Sequence, residues 1–403
     1  MKGREENVSN QRIHLVALSM TKLGDGLVDP KLVLAWLVSF LGASAGWVGL
    51  LVPIREAGAL LPQLFTAERL RRFAVRKWWW VWGSAVQGIA VLGIAAASLW
   101  LQGEMAGLVI VSLVAVFALA RSVCSVSYKD VLGKTVEKGV RGTVTGTAAA
   151  VAAPGVLIFG LLLLMGVVEQ INLVSSILCI AAGLWLLAAW WFSFLDEPPT
   201  ETKKVITSSV FYRYINYLRY DRELVTFIIV RALLTATAVA PPFLILLAQV
   251  SETGLVAQLG ALVVAASLST LVSGRIWGKL SDISTPKVLV FAGLLAAVTL
   301  GVSVAATATS LYNSVWFLPL LLFVLMFSYQ GVRISRSVHL VNIATEDTRA
   351  AYTAIANTII GVVLLATGGL GFLAENIGIA GVVVLLSGMS LLGGLLALRL
   401  RCP

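Results

Sequence analysis

Twelve apolar stretches follow one another along this chain, near 13–41, 46–66, 78–100, 106–131, 142–168, 172–194, 223–248, 254–274, 287–308, 314–340, 351–373 and 378–398. About 20 apolar residues in a helix cover the hydrocarbon core of a bilayer, roughly 30 Å thick. No water is present there to satisfy backbone N–H and C=O groups, so such segments must close their own hydrogen bonds as helices. Together they occupy nearly all of the 403 residues and leave no room for a soluble catalytic domain. Charged residues make up only 12% of the chain, about half the share of an average soluble domain. The expected class is an all-α integral membrane protein of about 12 transmembrane helices, and not an enzyme.

A net charge of +10 invites a nucleic-acid reading, but the distribution of the charge argues against one. Basic residues collect in alternate loops, among them Arg69, Arg71, Arg72, Arg76, Lys77, Lys134, Lys138, Arg141, Arg275, Lys279 and Arg349. The intervening short loops contain no Lys or Arg, only Glu104, Glu169, Glu252 and Glu375. By the positive-inside rule this places both termini in the cytoplasm, in a bacterial or archaeal inner or plasma membrane. The polar start runs straight into a span without a cleavable signal pattern. Trp78, Trp79, Trp80 and Trp82 are expected at the inner interface and Trp100 at the outer one.

One long polar interval interrupts the apolar pattern near its midpoint. Residues 195–222 begin with Leu195-Asp-Glu-Pro-Pro and are rich in Lys and Arg, which makes them a cytoplasmic linker between 1–194 and 223–403. Val210, Phe211, Ile215 and Leu218 recur there at helical spacing, as in a helix lying on the membrane surface. Each side of the linker holds six spans, and Arg141 and Arg349 occupy corresponding loops. Two six-span repeats joined in this way place a binding site at their interface near the midplane.

The loop after the eighth span reads Gly278-Lys-Leu280-Ser-Asp282-Ile-Ser-Thr-Pro-Lys287-Val-Leu289. It resembles the cytoplasmic signature of the major facilitator superfamily. Arg121 matches the arginine of a second superfamily pattern, although Cys124 and Ser125 replace its polar and glycine positions. The first-half copy of the loop has Pro62 where the Asp belongs. The resemblance implies a major facilitator fold in which spans 1, 4, 7 and 10 line a cavity, with Gly278, Asp282, Arg141 and Arg349 as conformational motif residues. It places Arg121, Arg231 and Arg333 on that cavity.

Charged residues inside spans are costly, so each is a candidate for function. Lys22, Asp25 and Asp29 share one helical face, beside Gly24, Gly26 and Pro30, which loosen the helix. They form either a proton-coupling or substrate-contacting site, or a set that neutralises itself. Arg55 and Glu56 fall midway through the second span, where a structural pairing with another span competes with a role in the pathway. Asp130 lies in the fourth span, with Lys129. Lys31, Lys129, Arg336 and His339 are expected to snorkel toward an interface.

Cofactor signals are lacking. Leu132-Gly-Lys-Thr135 imitates the end of a phosphate-binding loop, but its earlier glycine position is Tyr128. Neither the two histidines nor Cys124, Cys179 and Cys402 have metal-ligand spacing. The expected protein is therefore a monomeric, cofactor-free secondary transporter with a small organic solute and protons as partners. With five deep cations (Lys22, Arg55, Arg121, Arg231 and Arg333), an anionic solute is expected. The alternatives are an efflux pump for lipophilic compounds and a non-transporting receptor or assembly factor.

Overall fold

A computed structural model describes residues 2–70, 72–137, 140–165, 170–199, 219, 221–249, 258–314, 316–344 and 348–401. The helix expected near 210–218 lies outside them. Every regular element among the described residues is helical: α1 Lys2–Leu27, α2 Val33–Phe40, α3 Ala45–Leu60, α4 Gln63–Leu70, α5 Lys77–Trp100, α6 Gly103–Thr135, α7 Arg141–Met165 and α8 Gln170–Ser193. The second half follows with α9 Arg222–Leu233, α10 Ala236–Gln249, α11 Gln258–Ile283, α12 Thr285–Ala305, α13 Phe317–Ile343, α14 Arg349–Thr367 and α15 Leu370–Ala397, plus two short 3-10 turns before α13. Among the described residues, nine helical segments are long and apolar enough to cross a bilayer. The protein is a multi-pass membrane protein.

Spans 1, 2, 7 and 11 are each built from two helices, and the sequence explains each interruption. Pro30 lacks an N–H, and the Asp29 carboxylate accepts a hydrogen bond from Lys31 N at 2.6 Å, which turns the chain between α1 and α2. Pro62 separates α3 from α4. Between α9 and α10, Thr235 and Thr237 donate their hydroxyls to the carbonyls of Ala232 and Leu234, at 2.6 and 2.8 Å. These side chains satisfy backbone groups released by the break, as a bilayer requires. Gly368-Gly369 separates α14 from α15, and α15 turns at Gly378, where φ is 77°. Pro53, Pro154, Pro241 and Pro242, which stand beyond the first turn of their helices, are absorbed without a break.

In the first half α5 packs on α6 and α8, while α1 packs on α7 and α8; in the second α12 packs on α13 and α15, and α11 on α13. The halves meet along α7 with α11, and along α3 with α14 and α15. Both chain ends lie beside the linker. Asn10 exchanges hydrogen bonds with the Asp196 backbone at 3.1 and 3.2 Å, and Arg401 N donates to Glu223 at 2.9 Å. We call this the linker end, and its opposite the far end.

The two ends are packed differently. At the far end a Cβ on Gly371 would stand 2.5 Å from the Ala45 carbonyl oxygen, and one on Gly49 would stand 2.7 Å from the Gly371 Cα. A Cβ on Gly260 would stand 2.8 Å from the Gly160 carbonyl oxygen. Only glycine lets these backbones touch, the small-residue packing that draws helices together in lipid. Toward the linker end α7 and α11 part around a cavity, and Gly142, Gly146 and Gly274 are exposed with open space where a Cβ would be. Among the described residues, backbone contacts close the far end, and no such backbone seam joins α7 to α11 toward the linker end.

Of the expected tryptophan anchors, Trp78, Trp82 and Trp100 are exposed. Trp80 is not an anchor. It is buried in the first half with its ring centroid 4.1 Å from that of Phe192.

Candidate functional site

Positions 22, 25 and 29 follow helical spacing up to the break at Pro30, and all three side chains line a central cavity of about 370 Å³ between the halves. Asp25 is the hub of its first-half wall. Its carboxylate receives Arg121 at 2.7 Å (Nη1 to Oδ1) and 2.5 Å (Nη2 to Oδ2), and Arg55 Nη2 at 3.1 Å. The Arg55 guanidinium also lies over the Phe117 ring, 4.7 Å from its centroid. One carboxylate thus holds two guanidinium groups from α3 and α6, and the trio keeps a positive charge.

Lys31 does not snorkel. The turn at Pro30 carries it inward, where it is 6% exposed and its Nζ sits 3.8 Å from the centroid of the Tyr329 ring on α13. A desolvated cation over an aromatic face contributes about 2 kcal/mol, and here it joins the two halves. Tyr329, Gln330 and Arg333 supply the α13 face of the cavity, and Gln330 donates to Thr270 of α11 at 3.1 Å.

The second half carries its charge in a smaller cavity of about 40 Å³, lined by Arg231, Arg333 and Arg336 with Glu56 reaching across from α3. Arg231 is buried. Its Nη2 donates to Asn357 Oδ1 at 3.0 Å, and its Nε has no partner among the described residues. Glu56 makes none of the hydrogen bonds found among the described residues, and Lys31, Arg55, Arg333 and Arg336 all lie within electrostatic range of it. Tyr329 and Arg333 border both cavities, so the two adjoin. Arg336, expected to snorkel, belongs to this lining instead.

The remaining charged candidates sit at the linker end. Asp130 pairs with Arg76 at 2.6 Å and with Lys134 at 3.2 Å, away from the cavity lining. Lys134 continues to Glu197 at 2.7 Å, and Glu197 accepts the backbone N–H groups of Arg76 and Lys77 at 2.8 and 2.6 Å. A fully buried carboxylate from the start of the linker thereby caps α5, where a helix end favours negative charge. Arg141 donates to the carbonyls of Val136 and Gly133 at the end of α6. The side chain of Arg349 lies outside the described residues.

Gly278 has open space beside it, and Asp282 is exposed with no hydrogen bond or ion pair found among the described residues. Ser284 rather than Asp282 caps α12. His339 is buried rather than interfacial, bonded through Nδ1 to the Thr285 hydroxyl at 2.8 Å.

Sequence reasoning missed Tyr329, Gln330, Thr270 and Asn357. Each is an uncharged polar side chain in an apolar span, and only folding shows which of many such residues meet.

No protein-family model matches the sequence, and no curated protein does either. Solved structures match over nearly the whole chain. A crystal structure of a mutant of the nucleoside transporter NupG has a TM-score of 0.75 at 13% identity, covering 97% of this chain and 100% of that one. A POT family transporter in complex with 5-aminolevulinic acid has a TM-score of 0.73 at 10% identity, covering 96% and 95%. The chain has the major facilitator fold. A second POT family structure, with a thioalcohol-conjugated peptide, matches at 0.74 and 10% identity over 96% and 95% of the two chains. The similar structures named here are of transporters rather than enzymes.

Proposed function

We propose that this major facilitator protein is a monomeric secondary transporter of small organic anions, driven by protons. The observation that carries the reading is the charge on the cavity walls. The second half contributes Arg231, Arg333 and Arg336 to the two cavities and no acid. The first half sets Lys22, Lys31, Arg55 and Arg121 against Asp25, Asp29 and Glu56. An arginine does not shed its proton, so this excess needs an anion. A carboxylate or phosphate on the solute supplies one through paired charge-assisted hydrogen bonds. The POT family transporter in complex with 5-aminolevulinic acid, which carries both a carboxylate and an ammonium group, has the same fold.

Transport follows from rocking of residues 1–194 against 223–403, joined by 195–222, with the linker end in the cytoplasm. The state described above is open inward. Closing the linker end and parting the far-end glycine seams gives the outward-open state. Glu56 and Asp29 are the proton carriers. Glu56 faces the arginines and makes none of the hydrogen bonds found among the described residues, whereas the Asp25 oxygens are taken by two guanidinium groups. A solute anion and an ionised Glu56 compete for the same arginines, which couples loading to protonation.

The experiment is flux in proteoliposomes. Glu56→Gln combined with Asp29→Asn is expected to abolish accumulation driven by a pH gradient while keeping exchange of labelled solute. Accumulation that survives the double replacement would refute coupling through these two acids.

A further inference from the structure

The cations of the two adjoining cavities differ in what holds them. In the central cavity Asp25 fixes Arg121, and Lys31 stands over the Tyr329 ring within electrostatic range of Asp29. Lys22 makes none of the hydrogen bonds or ion pairs found among the described residues. Asp25 lies within electrostatic range of it, but the Asp25 oxygens are taken by two guanidinium groups. Around the smaller cavity the side chains of Arg333 and Arg336 likewise make none of the bonds or ion pairs found there, and Glu56 is the one acid in that lining. Lys22 and Arg336 are half-buried and Arg333 is exposed, so all three keep accessible surface, whereas Arg231 is buried and bonded to Asn357. Arg333 borders both cavities and lies within electrostatic range of Lys22 on one side and of Glu56 on the other.

We propose that the solute carries two separated anionic groups, one received by Lys22 and the other by Arg333 and Arg336. This inference rests on the proposed anion transport and narrows it to a class of which an α,ω-dicarboxylate is the simplest member. Charge, volume and lining agree. A single carboxylate answers the cations at one end and leaves the other end uncompensated. When Glu56 and Asp29 take up protons on loading, Asp25 is the acid that remains against them, and it is already engaged. A cavity of about 150 Å³ accommodates benzene, whereas a water needs only about 10–15 Å³. The smaller cavity, of about 40 Å³, therefore has room for an anionic head and not for the body of an organic solute. The central cavity, of about 370 Å³, has room for the body and a second head. Ala152, Val156, Val263, Ala266 and Met326 give that cavity apolar wall, which suits a hydrocarbon spacer between the two charges. Lys22 belongs to the first half and the two arginines to the second, so a solute with two heads ties the halves together across the cavity.

The test is a ligand titration of the full chain in lipid nanodiscs at neutral pH and constant ionic strength, with adipate, hexanoate, monomethyl adipate and inorganic phosphate. Adipate and hexanoate share a chain length and differ by one carboxylate. Adipate is expected to bind at least about tenfold more tightly than hexanoate, the effect of one added charge-assisted contact. Monomethyl adipate, with one charge masked, should fall to the level of hexanoate. Phosphate, which concentrates its charge on one centre, should bind more weakly than adipate. Lys22→Met should remove the advantage of adipate and leave hexanoate unchanged, whereas Arg336→Gln should weaken both. Lys22→Gln gives the same reading should Lys22→Met not fold. Equal affinity for adipate and hexanoate, phosphate binding as tight as adipate, or equal weakening of both acids by Lys22→Met would overturn the two-headed solute while leaving the anion reading in place. Failure of every probe to bind would refute both.

Discussion

Asp25 and Arg121 meet in a two-point contact, Nη1 to Oδ1 at 2.7 Å and Nη2 to Oδ2 at 2.5 Å, on the first-half wall of the central cavity. Arg55 bonds the same carboxylate from α3. Asp25 therefore fixes two cations on different helices, and its removal acts on both.

Asp25→Asn leaves two guanidinium groups without their carboxylate. A fully dry pair broken in this way costs 3–5 kcal/mol, but Asp25 and Arg121 keep 21% and 32% of their side-chain surface in the cavity. The expected loss is about 2 kcal/mol, read as a lower unfolding temperature in detergent or nanodiscs. The same variant should bind small anions more tightly than the parent, because two arginines are released. An unchanged unfolding temperature together with unchanged anion affinity would contradict this role.

The far-end seams define the state of the molecule. Gly260→Val places side-chain atoms against the backbone at Gly160, and Gly371→Val against the carbonyl of Ala45. Overpacking of this kind costs roughly 1–3 kcal/mol, and only in the state with the far end closed. Each variant is expected to shift the population toward the far-end-open state about tenfold or more. Cysteines placed near the far end of the cavity should then react faster with an impermeant thiol reagent. Equal reaction rates in parent and variants would show that the seams do not set the equilibrium.

Asp282 stands exposed and unpaired among the described residues while the linker end is open. Its contribution therefore belongs to the state in which that end closes, where a carboxylate at a neighbouring helix end is worth about 1 kcal/mol. Asp282→Asn should slow turnover several-fold, leave unfolding in the linker-open state unchanged, and raise reactivity of linker-end cysteines. Unchanged turnover and accessibility would remove Asp282 from the cycle.

Much of this was legible in the sequence, for identifiable reasons. Span count and loop polarity are one-dimensional properties, and the clustering of Lys22, Asp25 and Asp29 follows from helical spacing alone. Pro30 and its neighbouring glycines announced the loosened first span. The interruption at Thr235 carried no such mark, since threonines end a helix only where their hydroxyls find carbonyls. Lys31 and Trp80 were misread because distance along the chain to a loop stood in for depth. A broken helix turns Lys31 inward, and packing against Phe192 buries Trp80. Asp130 was read as a pathway residue, whereas Arg76 and Lys134 hold it at the linker end. That network depends on Glu197, a contact across more than a hundred residues that no local pattern reveals.

Flux of labelled organic acids into proteoliposomes, measured beside Arg231→Gln, tests the central claim most directly. Saturable uptake of an anion is expected, stimulated by a pH gradient and inhibited by other acids but not by matched amines. Arg231→Gln should reduce it by at least about tenfold, the effect of losing one charge-assisted contact of about 1.5–3 kcal/mol. Uptake of cations in place of anions, or anion uptake indifferent to Arg231→Gln, would contradict the account.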